Sequence, residues 1–132
     1  AFDKDPREPG SYWGGFVDIR KVWEFIPENL FWSSKRSSLG KPFNPSKDLK
    51  VVGLTKDEFA NISGVQGQLW SETFNGSNEI LEYPYLSRIV ALSERAWPSN
   101  PQWAMIENPV SREKEEIKDW QGFVYKFSLR EL

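Results

Sequence analysis

"GVQGQLWSET", residues 64–73, is the stretch on which the reading of the fold turns. Val65, Gly67 and Leu69 fall on one parity, and Gln66, Gln68, Trp70 and Glu72 fall on the other. Strand side chains alternate between faces, so an extended segment here has an apolar side and a side of amides, indole and carboxylate. The apolar side suits packing beneath a layer of helices. The other side suits the lumen of a parallel barrel, whose C-terminal rim is where ligand chemistry sits. A Trp-x-Glu step there sets an aromatic wall beside a hydrogen-bond acceptor, as a sugar site requires. The plainer reading of Glu72 is a solvated acid at a helix start, and the pattern alone leaves both open.

Composition narrows the chemistry. The 132 residues match the length of one ordinary domain. A net charge of −2 offers no basic field, so no nucleic-acid partner is expected. The chain has no cysteine and no histidine. Disulfides, thiolate chemistry, Ser-His catalysis and Cys- or His-liganded metal are therefore excluded, and acid–base work falls to carboxylates, Tyr or Lys. No apolar run reaches the ~18 residues of a membrane span. Seven tryptophans, nine phenylalanines and four tyrosines make aromatics the compositional oddity. An indole face can pack in a core or carry the C–H face of a sugar ring, and burial is the commoner use.

Outward from residues 64–73 the pattern is mostly helical. Upstream, Phe16, Ile19, Val22, Trp23 and Ile26 keep a helical period from Trp13 until Pro27 stops it. Residues 27–54 read as a long connection, with the aperiodic "SSKRSSLGKPFNPSKD" (33–48) suggesting a lid, a binding loop or an insertion. Thr55 and Glu58 form a capping-box pattern for a short helical turn. Downstream, Asn78–Trp97 predicts a helix with Ile80, Leu86, Ile89, Val90 and Ala96 on its apolar face, and Pro84 kinks it or marks its true start. A last helix opens near Ser111 with Glu113–Glu116 at its positive end and a stripe of Ile117, Trp120, Phe123, Val124 and Phe127. One strand cannot make a sheet, so the chain reads as part of a larger α/β domain.

Two long stretches carry a family resemblance. "GVQGQLWSET" with the following "EYPYLSRIVALSERAW" resembles the last barrel strand and helix of the family-20 glycoside hydrolases, the β-N-acetylhexosaminidases, closest to chitobiase-like members. "DPREPGSYWGGFVDIRKVWEFIPENL" resembles the loop and helix after that family's seventh strand. The resemblance covers about residues 1–104 and, loosely, the terminal helix. It implies an α/β fold, the C-terminal portion of a (β/α)8 TIM barrel. Residues 1–26 would be the loop and helix after strand 7, residues 27–61 a connection, 62–104 the last strand and helix, and 105–132 a terminal helix.

The same resemblance implies hydrolysis of terminal, non-reducing β-linked N-acetylhexosamine from chains such as chitobiose. The family's mechanism retains configuration through attack by the substrate's own acetamido oxygen, with an Asp orienting the acetamide and the adjacent Glu protonating the leaving oxygen. Trp70 matches the tryptophan walling the terminal-sugar pocket. Glu72 matches the glutamate that accepts from that sugar's 4- and 6-hydroxyls, and Trp13 matches the tryptophan that stacks on the leaving sugar. Arg88, Glu94 and Arg95 also match family positions and read as structural, as charges that orient a barrel helix.

The family's Asp-Glu pair, on the fourth strand, has no counterpart here, so no catalytic residue is expected in this chain and the isolated fragment is expected to be inactive. Ser11, Ser87 and the 33–50 loop depart from the family pattern, which bears on loop geometry and chain-length preference. No cofactor or metal is implied; the partners are N-acetylglucosamine-containing oligosaccharides, and the family suggests an extracytoplasmic, periplasmic or secreted, location. A competing reading is a non-catalytic carbohydrate-binding protein on the same scaffold. A third is a structural module whose aromatics are core.

Overall fold

The computed structural model describes residues 17–30, 34–35, 41–50, 54–68, 77–97 and 100–130. Its described elements are helical: α1 (Ile19–Trp23), single turns α2 (Pro45–Asp48) and α3 (Lys56–Phe59), α4 (Asn78–Ala96), a 3-10 turn (Gln102–Met105) and α5 (Pro109–Ser128). They fall into two compact units, Ala1–Pro98 and Ser99–Leu132.

In the first unit, α1 starts later than its apolar period suggests. The Asp18 carboxylate accepts from the Lys21 N–H at 2.7 Å, which satisfies an otherwise orphaned donor and fixes the helix start. The helix ends at Trp23, four residues before the proline, yet both Trp23 and Ile26 are buried. In the connection read as aperiodic, α2 forms a single turn. Asn44 accepts from the Lys47 N–H, Pro45 sits at the first helical position, and Asp48 accepts from the Asn44 N–H at 2.7 Å. These groups close one turn without any apolar period. Lys50 then takes φ 53°, a left-handed exit from that turn.

Of the predicted strand over 62–70, residues 62–68 are described, and they belong to no ladder. A strand is defined by its pairing, and no described segment lies alongside to pair with it. Burial does not alternate along it: Val65 is half-buried and Gln66 and Gln68 are exposed, but Gly67 is exposed too and Ile62, on the parity of the glutamines, is half-buried. A Cβ added to Gly67 would lie 2.7 Å from Leu92 Cδ2, so this segment approaches α4 through a residue without a side chain.

Helix α4 runs from Asn78, so Pro84 lies inside it and is not its start. The side that meets α1 differs from the predicted apolar stripe. Ala91 is fully buried, with Arg88, Leu92 and Arg95 half-buried around it, the i, i+3, i+4, i+7 pattern of one face. Leu86, Ile89 and Val90 are exposed, Leu86 at 56%. The face that the sequence marks as core is thus not the face turned to α1. The Ile80 side chain lies outside the described residues.

The second unit is a helix closed by a short turn. α5 starts two residues before Ser111, because the Asn108 carboxamide accepts from the Val110 and Ser111 N–H groups at 3.0 Å and Pro109 follows. The first turn then holds no acid, so the expected pairing of Glu113–Glu116 with the helix dipole fails; the effect fades beyond that turn. Glu116 is instead 2% exposed. The covered stripe is Glu116, Trp120, Phe123 and Phe127, while Ile117 and Val124 stay open. Phe123 stacks on Phe127 with ring centroids 5.9 Å apart, and Trp120 tilts against Phe123 at 5.5 Å. Trp103 is 4% exposed, and its indole N–H donates to Asp119 at 2.9 Å, pinning the 3-10 turn to α5.

Candidate functional site

Trp13, Trp70 and Glu72, the three sugar-contacting residues expected from the sequence, lie outside the described residues. The described structure shows the segments that lead to them. Val17 is four positions after Trp13, and Gln68 is two positions before Trp70. Ser77, five positions after Glu72, is the N-cap residue of α4.

One face of α4 holds two of these segments. Arg88 Nε donates to the Val17 carbonyl at 2.7 Å, a bond spanning 71 positions of sequence. One turn further, Leu92 meets Gly67. Another turn on, the Arg95 guanidinium lies over the Trp23 ring, 4.9 Å from its centroid. A cation over an indole face is attracted by the ring quadrupole, and more so when water is excluded. Trp23 is 1% exposed, so this contact is sheltered.

Arg88 and Arg95 therefore orient α1 against α4, as the structural reading of these charges expects. They do so through a carbonyl and a ring, and Glu94 is exposed. The spacing marks the shared face, though not the groups it meets. Arginines at 88 and 95 flank Ala91 and Leu92 on one helical face, where small and apolar residues permit close approach.

Ionic groups elsewhere are local. Glu24 receives Arg20 one turn earlier and Lys35 at 3.8 Å. Glu58 reaches back to the Thr55 N–H at 2.7 Å, and the Thr55 hydroxyl donates to the same oxygen at 2.8 Å. The backbone N–H first, and then the hydroxyl, hold the Glu58 carboxyl below its ordinary value. Among the described residues no group of acids could hold a metal ion, and no helix is long and apolar enough to cross a membrane.

Comparison with known proteins defines the setting of these segments. The catalytic-domain model of glycosyl hydrolase family 20 matches residues 1–100. A β-hexosaminidase from Vibrio vulnificus is 35% identical over 101 residues, covering 73% of this chain and 11% of that protein. An N,N'-diacetylchitobiase from Vibrio harveyi is 33% identical over 97 residues, covering 73% of this chain and 10% of that protein. A β-hexosaminidase B from Pseudoalteromonas piscicida is 29% identical over 109 residues, covering 79% and 13%. The chain thus spans about a tenth of the length of these relatives. No solved structure matches it significantly. The family match takes in α1, α4 and the segment between them, including the stretches that carry Trp13, Trp70 and Glu72, and by it this chain belongs to glycosyl hydrolase family 20.

Proposed function

We propose that this chain is the C-terminal portion of a (β/α)8 catalytic barrel that removes terminal, non-reducing N-acetylhexosamine from β-linked chains such as chitobiose. The observation that carries this reading is the family-20 catalytic-domain match over residues 1–100, within which the Trp70-x-Glu72 step falls. The approach of Gly67 to Leu92 supports it, because Gly67 belongs to the apolar parity of this stretch, while Gln66 and Gln68, on the other parity, are exposed.

In this reading Trp70 walls the pocket for the terminal sugar and Glu72 accepts from its 4- and 6-hydroxyls. A carboxylate gives short, directional bonds there and selects a free chain end. Trp13 stacks on the leaving sugar. Catalysis is assisted by the substrate: its acetamido oxygen attacks the anomeric carbon, forming an oxazolinium that water opens with retention. A firmly held acetamide is essential, because attack geometry tolerates little misplacement. The Asp that orients the acetamide and the Glu that protonates the leaving oxygen come from outside these 132 residues. Such chain-end chemistry fits an extracytoplasmic enzyme working on chitin fragments.

The test uses the complete native polypeptide that carries this sequence. Glu72→Gln and Trp70→Ala are each expected to lower kcat/KM on chitobiose by roughly a hundredfold, the loss of a charged hydrogen bond or a buried ring contact. Binding of N-acetylglucosamine should weaken in parallel. If both variants change thermal stability and leave sugar affinity intact, the aromatics are core and the reading fails. A wild-type protein that binds the sugar and turns over no glycoside is instead the non-catalytic scaffold.

A further inference from the structure

We infer that the open flank of α4, formed by Tyr85, Leu86, Ile89, Ser93 and Trp97, seats a further helix of the same polypeptide, one lying outside these 132 residues. This rests on the proposed barrel and goes beyond it by naming the surface through which the present segment joins the rest.

Successive residues of a helix turn by about 100°, so each side chain has a place around the axis. Leu92 faces the segment 64–68, since a Cβ added to Gly67 would lie 2.7 Å from its Cδ2. With Leu92 as origin, Arg88, Arg95 and Ala91 fall within about 100° to one side. That is the side α1 covers: Arg88 donates to the Val17 carbonyl, Arg95 lies over Trp23, and Ala91 is fully buried. Tyr85, Ile89, Ser93, Leu86 and Trp97 fall within about 140° to the other side. All five are exposed.

Composition divides the helix the same way. Between Tyr85 and Trp97 the charged residues are Arg88, Glu94 and Arg95, and none falls on the open flank. Ser93, in the middle of that flank, turns its hydroxyl back to the Ile89 carbonyl at 2.7 Å and the Val90 carbonyl at 3.2 Å. Its donor is thus satisfied within the helix and asks nothing of water. Charge returns only at the exposed Glu82, about one turn before Tyr85. A helix face meant for solvent carries charge. A row of large apolar side chains without it is a surface made to be covered.

The occupant follows from the fold and from the length of the relatives. In a (β/α)8 barrel the helices form a ring around the strands, so each lies between two others. α4 has one such neighbour in α1, and it meets the segment 64–68 through Leu92. The flank left open is the place of the second neighbour. α4 is the last helix of the barrel in the proposed reading, so the helix that closes the ring against it is the first. The relatives are long enough to supply it: the 101 residues matched in the Vibrio vulnificus protein are 11% of its length.

The experiment uses the complete native polypeptide with Leu86→p-benzoylphenylalanine, a photoreactive side chain at the centre of the flank. Irradiation is expected to give an adduct at the mass of one polypeptide, and digestion should find its partner peptide in sequence ahead of Ala1. Ile89→Glu in the same polypeptide should lower the unfolding midpoint by at least about 5 °C, the effect of an unpaired charge beneath a helix, whereas Ile89→Leu should shift it by no more than about 1 °C. An adduct of twice the mass gives the flank to a second copy. An adduct to residues 99–132 gives it to the second unit, and no adduct leaves it open to water. Each of these overturns the inference, as does an unmoved midpoint in Ile89→Glu. Should Ile89→Glu not fold, the adduct alone decides. Turnover of chitobiose by the wild-type preparation judges the proposed function separately, so turnover beside an open or self-paired flank sinks this inference and spares that reading.

Discussion

Helix α4 of the unit Ala1–Pro98 turns Arg88, Ala91, Leu92 and Arg95 toward its neighbour and leaves Leu86, Ile89 and Val90 open. Helix α5 of the unit Ser99–Leu132 carries Trp120, Phe123 and Phe127 as a ring cluster on its covered stripe, and its Asp119 holds the buried Trp103. Both helices are amphipathic, and the family match ends where the second unit begins. The difference lies in what each helix has to pack on. α5 meets the short turn that precedes it in sequence, through Trp103 and Asp119, so this contact is local. Among the described elements α4 packs on a five-residue helix far away in sequence, and it meets it with charged and small side chains. Its aliphatic row, like Trp97 at 93% exposure, has the character of a contact surface, since rows of this kind seldom stay open in a finished domain. Apolar periodicity reports which face wants cover; it does not say which face the nearest element will take.

This comparison can be broken by exchanging large core residues for alanine in each unit. The largest loss is expected for Trp23→Ala, about 4 kcal/mol, because it opens a cavity the size of an indole and strands the Arg95 guanidinium. Denaturant unfolding of the native polypeptide measures it, and Arg95→Ala should cost less in that background than it does alone. Trp103→Ala is expected to cost about 3 kcal/mol, and to do so locally, with amide exchange accelerating over 109–128 and little changed over 19–23. If Trp103→Ala loosens α1 as much as α5, the two units share one core and the contrast between them is wrong.

How much of this was legible beforehand depended on the kind of signal. The capping pair Thr55 and Glu58 was readable because its groups are three residues apart and need no partner from elsewhere. Asn108 ahead of Pro109 carries the same kind of local signal, two residues before the start that Ser111 and the acids after it suggest. The segment 64–68 is readable as an alternation in sequence, but its burial does not alternate, and a ladder needs a partner strand that no local pattern supplies. The arginine clamp was the least legible. Its donors sit on α4 and its acceptors lie 71 positions away or on another helix, so nothing near Arg88 or Arg95 in sequence names Val17 or Trp23. The sugar-contacting roles proposed for Trp13, Trp70 and Glu72 rest on resemblance, and the described structure reaches only the segments beside them.

Smaller changes sharpen the contrast at single contacts. Gly67→Ala should cost about 1 kcal/mol, the low end for overpacking, because the group in the way is the flexible end of Leu92. Leu92→Ala in the same protein should relieve that cost, and additive losses would mean that the segment and α4 do not press on one another. Asn108→Ala should cost about 1 kcal/mol through the loss of the cap on α5, read as a shift in the denaturant midpoint.

The smallest effect concerns Glu58, which is fully exposed. Its carboxyl is held below the ordinary 4.5 first by the Thr55 backbone N–H and then by the Thr55 hydroxyl. A depressed carboxylate stabilises the folded state above its unfolded value, and that contribution disappears as pH falls through the folded midpoint. A carbon-detected titration of Glu58 should therefore give a midpoint below 4.5. Thr55→Val removes the hydroxyl and keeps the backbone donor, so the midpoint should rise without reaching the ordinary value. A full return to it would show that the side chain, and not the backbone, holds the charge, and would reverse the order of the two causes.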